Sequence, residues 1–208
     1  FDAEGMYALG WWAGNAAAAK GETALRCFGG SFEEFSAVAE NIPVGCDGLI
    51  FHPYLMGELT PYANPTLRGS FIGVSAGHTK AHFARAVMEG VAMSLLDCKT
   101  YLEGKGVEIG NKAYVIGGGA KSKVWRQIVA DALNLTLVQT ENNDSSFGSA
   151  MCAGIAAGFF KDYDEASKNC QKVIGETKPI AENTERYAKI FAKYRKISKF
   201  LMELADEK

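Results

Sequence analysis

Val115-Ile116-Gly117-Gly118-Gly119-Ala120-Lys121-Ser122-Lys123-Val124-Trp125-Arg126-Gln127 reads as three things in succession. Tyr114, Val115 and Ile116 close a buried strand. Three glycines then remove every side chain, and the apolar spacing over 124–133 is that of a helix. Strand, glycine turn and helix start together let backbone amides lie flat against a ligand. Two familiar versions of such a turn do not fit. Ala120 stands where a phosphate loop has glycine before its Lys-Ser pair, and the contiguous glycines break the Gly-x-Gly-x-x-Gly dinucleotide spacing. On this stretch alone, a plain strand-to-helix connection stays open beside a nucleotide turn.

Outward from the turn, strands are predicted over 6–12, 48–52, 70–74, 113–116 and 135–139. Helices are predicted over 16–28, 79–102, 124–133, 147–160, 165–174 and 182–204, with the last one lysine-rich and packed across the outside. Ser31, followed three residues later by Glu34, begins one more helix through a capping box. Phe83, Val87, Val91, Leu95 and Leu102 recur with helical period and make 79–102 the long central helix. Pro53, Pro61 and Pro65 forbid regular structure and leave a long ordered loop before residue 70. The small residues of 147–160, Gly148, Ala153, Gly154 and Gly158 among them, suit close backbone approach to a neighbour or ligand. Asp144-Ser145-Ser146 reads as a cap for that helix. Strands alternating with helices give an α/β fold, one sheet covered by helices.

Composition narrows the function classes. The chain has 208 residues, 22% of them charged, and a net charge of −2, which offers no basic field to nucleic acid or anionic lipid. No apolar run approaches a membrane span, and Phe1-Asp2-Ala3-Glu4 is no signal peptide. Cys27, Cys46, Cys98, Cys152 and Cys170 are odd in number and lack Cys-x-x-Cys spacing, so reduced thiols in a cytoplasmic protein are expected. His52, His78 and His82 carry no zinc-ligand spacing. His82, Arg85 and Glu89 share a helix face, where Arg85 and Glu89 form an i, i+4 pair expected at a surface or domain interface.

The segment from Phe51-His52-Pro53-Tyr54 through Gly57-Glu58-Leu59-Thr60-Pro61, Arg68-Gly69 and Ile72-Gly73-Val74 to Ala84-Arg85-Ala86-Val87-Met88-Glu89-Gly90 resembles the second signature of the FGGY carbohydrate kinases. The glycine turn is similar to the same family's adenosine motif at the expected distance downstream. The resemblance runs from about Gly14 to near Phe160. It implies an actin-like (ribonuclease H-like) ATPase domain, a mixed sheet covered by helices, with the long helix packed on that sheet. It also implies that residues 1–208 are the C-terminal, nucleotide-binding domain of a two-domain kinase. The opening at Phe1 rather than Met fits the same reading, a piece of a longer polypeptide whose N-terminal domain precedes it.

For that parent, the resemblance implies transfer of the γ-phosphate of ATP, with Mg2+, to a hydroxyl of a sugar most like xylulose. ATP contacts are expected from Gly117, Gly118, Gly119, Ala120, Lys121, Ser122 and Lys123, and from Gly21 in a Gly-x-x-x-x-Trp-like element where Cys27 replaces the tryptophan. A solvated helix face is the alternative for the two lysines. Glu58 and Arg68 are candidates for phosphate binding or for anchoring their loop. No catalytic residue and no protein metal cage are expected here, because the family's catalytic aspartate and most sugar contacts belong to the first domain. Expected partners are ATP, the sugar, that first domain and, as an open assembly state, a second copy in a homodimer. Two other readings stay open: a free-standing nucleotide-binding or interaction module without catalysis, and a dinucleotide-dependent oxidoreductase that the glycine spacing disfavours.

Overall fold

Ser31 opens α1 (Phe32–Glu40) through the predicted capping box, its hydroxyl accepting from the Glu34 N–H at 3.2 Å while the Glu34 carboxylate accepts from the Ser31 N–H at 3.0 Å. The computed structural model describes residues 31–142 and 145–206. The strand expected over 6–12, the helix over 16–28, Gly21, Cys27 and the cap at Asp144 lie outside the described residues. After α1 come β1 (Ile50–His52), β2 (Ser70–Ile72), α2 (Lys80–Gly104), β3 (Lys112–Val115) and α3 (Lys123–Leu133). Then follow β4 (Thr136–Thr140), α4 (Ser145–Ala156), α5 (Tyr163–Cys170), β5 (Val173–Thr177) and α6 (Ala181–Asp206).

Among the described residues the strands fall into two sheets. β1 and β2 make an antiparallel ribbon with Phe51 opposite Phe71. The second sheet is mixed, with β4 in the middle, parallel to β3 and antiparallel to β5. The long helix α2 lies on the ribbon, whereas α3 lies against β4 and β5 and also packs on α2. Gly90 explains that placement, since a Cβ there would stand 2.3 Å from the Phe51 carbonyl oxygen. Only a bare backbone lets helix and ribbon approach so closely. The core between them is apolar, with Leu49, Leu67, Met93 and Ile128 almost wholly buried. Each such side chain contributes about 1.5–3 kcal/mol of burial.

Two predicted helices end early. The helix expected to reach residue 160 stops at Ala156, because Gly158 turns left-handed at φ 79°. Its N–H donates to the Ile155 carbonyl and the Phe159 N–H to the Gly154 carbonyl, a Schellman closure. The helix expected over 165–174 ends at Cys170, and Val173 begins β5, which pairs with β4.

The C-terminal helix α6 closes the ribbon side. His52 stacks on Tyr194 with ring centroids 4.2 Å apart, and its Nε2–H donates to the Tyr194 carbonyl at 3.1 Å. The hydroxyls of Tyr54 and Ser198 share a hydrogen bond of 2.9 Å. Asp131, buried at the end of α3, accepts from the Ile180 N–H at 2.7 Å and the Asn183 amide at 2.8 Å, holding the start of α6. Among the described residues no helix is long and apolar enough to cross a membrane, and Cys46, Cys98, Cys152 and Cys170 are free thiols.

Candidate functional site

Past β3 the chain bends at Gly117, whose φ of 81° and ψ of −170° fall where only glycine is at ease. Gly118–Lys121 then make one 3-10 turn, and Ser122 caps α3 by accepting the Trp125 N–H at 3.1 Å. All three glycines are exposed. A Cβ built on Gly117 or Gly118 would meet nothing within 4 Å, so the space over them is open to a ligand. On Gly119 it would lie 2.8 Å from Trp125 Nε1, so this glycine is pressed against the indole. The N–H groups of Gly118 and Gly119 donate to no protein acceptor among the described residues. Bare backbone with unspent donors in the turn leading into a helix suits an anion or a polar ribose edge.

The other predicted residues divide. Ala120 points inward, with its side chain buried. Its carbonyl accepts from the Arg126 guanidinium and from the Gln139 amide, the latter at 3.3 Å. Ser122 is spent on the cap. Lys121 and Lys123 stand exposed on either side of it. Trp125, Arg126 and Gln139 therefore support the turn although the sequence did not single them out. The first two looked like ordinary helix residues, and Gln139 reaches the turn from the neighbouring strand.

Glu58 and Arg68 sit in the proline-rich loop between β1 and β2. Arg68 is exposed, and its Nη1 donates to the carbonyls of Pro65 at 2.9 Å and Leu67 at 2.7 Å. Glu58 is buried; its carboxylate accepts from the Leu59 N–H at 3.1 Å and the Ser94 hydroxyl at 3.4 Å. Its backbone exchanges hydrogen bonds with Asn64 at 2.8 and 2.9 Å. These bonds give a loop without ladders the partners that its polar groups need.

Arg85 and Glu89 pair at 2.8 Å in the interior, not at the surface or a domain interface as the i, i+4 spacing suggested. The Glu89 carboxylate also accepts from the Tyr187 hydroxyl at 2.9 Å and the Gly45 N–H at 3.1 Å. The cover comes from α6 and from the loop before β1, both remote in sequence. Burial first, and the Glu89 carboxylate second, push the Tyr187 phenol up. Among the described residues no group of three or more His, Cys, Asp or Glu could hold a metal ion.

The sequence pattern of the C-terminal domain of the FGGY family of carbohydrate kinases matches residues 6–157. The chain belongs to that family. It is 39% identical over 178 residues to the xylulose kinase of Staphylococcus epidermidis, an alignment covering 85% of this chain and 36% of that protein. The gluconokinase of Bacillus subtilis is 33% identical over 202 residues, 95% of this chain and 38% of that protein. The crystal structure of a xyloylose kinase from Brucella ovis superposes with a TM-score of 0.81 at 27% identity, over 90% of this chain and 38% of the other. This FGGY-family chain thus spans about a third of the length of the curated relatives it matches. Its fold is the actin-like one of the sugar kinases, and the glycine turn and proline-rich loop both fall inside the matched span.

Proposed function

We propose that this FGGY-family chain is the nucleotide-holding half of a cytoplasmic sugar kinase that transfers the γ-phosphate of ATP to a hydroxyl of a pentulose, most like xylulose. The observation that carries the reading is the open space over Gly117 and Gly118, bounded by the unspent amides of the 3-10 turn that leads into α3. ATP fits that cradle chemically, since a flat sugar-phosphate edge needs donors and no Cβ. Lys121 and Lys123 add positive charge at its rim, and Gly21 belongs to the same nucleotide set. Glu58 and Arg68 act as anchors of the proline-rich loop. Mg2+ would arrive on the nucleotide phosphates and neutralise their charge. A preceding domain of the parent polypeptide supplies the base that takes the sugar hydroxyl proton, because such a base must lie within hydrogen-bond reach of it.

Xylulose is favoured over gluconate by the higher identity to the xylulose kinase. The test measures ATP consumption with D-xylulose, ribulose, glycerol and gluconate, for the 208-residue chain and for the parent polypeptide. The chain alone is expected to turn over none of them, and the parent to prefer xylulose. Robust turnover by the chain alone would overturn the half-site reading. A parent that phosphorylates none of the four would overturn the kinase reading.

A further inference from the structure

We infer that Arg126 is a positioning residue that biases the glycine turn towards phosphorylated nucleosides over bare ones. The inference rests on the nucleotide reading of the turn. Arg126 lies in the first turns of α3 and is only 9% exposed. It donates through Nη1 to the Ala120 carbonyl, yet among the described residues its Nε has no hydrogen-bond partner. Among the described residues no carboxylate lies within ion-pair distance of it. The buried acid on its own helix, Asp131, is occupied by Gln127, Ile180 and Asn183. A buried guanidinium is ordinarily matched by an acid, since an unmatched one is costly. Among the described residues, then, no acid compensates this charge directly behind the turn.

Two consequences follow from that position. The hydrogen bond to Ala120 fixes the turn, and Gln139 shares that task. The charge acts outward on whatever lies over Gly118, screened less than a surface charge because it is buried. It has the same sign as the N-terminal end of α3 and as exposed Lys121 and Lys123. Ligand phosphate would complete the missing pair through the turn.

The test separates charge from geometry. Amide shifts of Gly118 and Gly119 are followed by NMR while the 208-residue chain is titrated with ADP or with adenosine. Arg126→Met is expected to weaken ADP about tenfold more than adenosine, and Arg126→Lys to retain most of the ADP preference. Gln139→Met, which removes a donor to Ala120 without altering charge, should weaken both ligands equally. A matched loss for the two ligands in Arg126→Met, or no loss, overturns the inference. If Arg126→Met melts early, the Arg126→Lys and Gln139→Met arms decide the matter at full folding. If the unaltered chain binds neither ligand, the nucleotide reading itself falls, and with it this inference.

Discussion

Gly117, Gly118 and Gly119 look alike in the sequence and answer to three different constraints. The first is fixed by backbone angle, the second by empty space, the third by an indole face. Gly117→Ala should therefore cost about 1–3 kcal/mol of stability, read from urea unfolding. Gly118→Val should change stability by no more than about 0.5 kcal/mol and abolish nucleotide binding, measured by calorimetry on the parent polypeptide. Normal binding by the valine variant would remove Gly118 from the site. The triplet itself was legible because glycine is the only residue that leaves backbone bare. Which glycine does which task was not, because φ and the position of Trp125 are properties of the folded turn.

At the scale of elements, the ribbon and α6 are joined through His52. Its ring is wholly buried, and burial lowers its pKa from 6.5 to about 4. The folded state therefore disfavours the proton that the unfolded chain accepts. The His52 contribution is complete above about pH 6.5 and is lost as pH falls from there towards 4. Between pH 7 and 5 the loss from this residue should be about 2 kcal/mol. Asp97, whose carboxyl is pushed up by burial, acts in the opposite sense. Comparing urea midpoints of the unaltered protein and His52→Asn isolates the histidine, and equal pH slopes would show that it is not the titrating group. Local signals predicted the α1 cap, the α2 stripe and the proline-rich loop, since each depends on residues close in sequence. The first two residues of β5, Val173 and Ile174, fit the end of the helix predicted over 165–174, because they continue its amphipathic run and become strand only beside β4. Arg85 and Glu89 looked like a surface pair for the same reason, their cover lying far along the chain.

On the scale of the whole molecule, α6 is a strap held at several points by buried polar groups. Asp131 fixes its start, Tyr187 joins the Arg85–Glu89 pair, and Tyr194 and Ser198 sit over His52 and Tyr54. Asp131→Ala would strand the Ile180 N–H and the Asn183 amide, and should cost about 3 kcal/mol. Thermal unfolding measures that cost, while hydrogen exchange should show α6 losing protection first; uniform loss across the chain would deny it the role of strap. The fastenings at His52 and Tyr54 join residues separated by 142 and 144 positions. A ribosome adds roughly 5–20 residues per second, so a newly made ribbon waits on the order of ten seconds for the helix that covers it. During that interval His52 and Tyr54 are a hydrophobic, half-finished surface in a crowded cell. Synthesis of α6 therefore sets how long the open face of the ribbon stays uncovered.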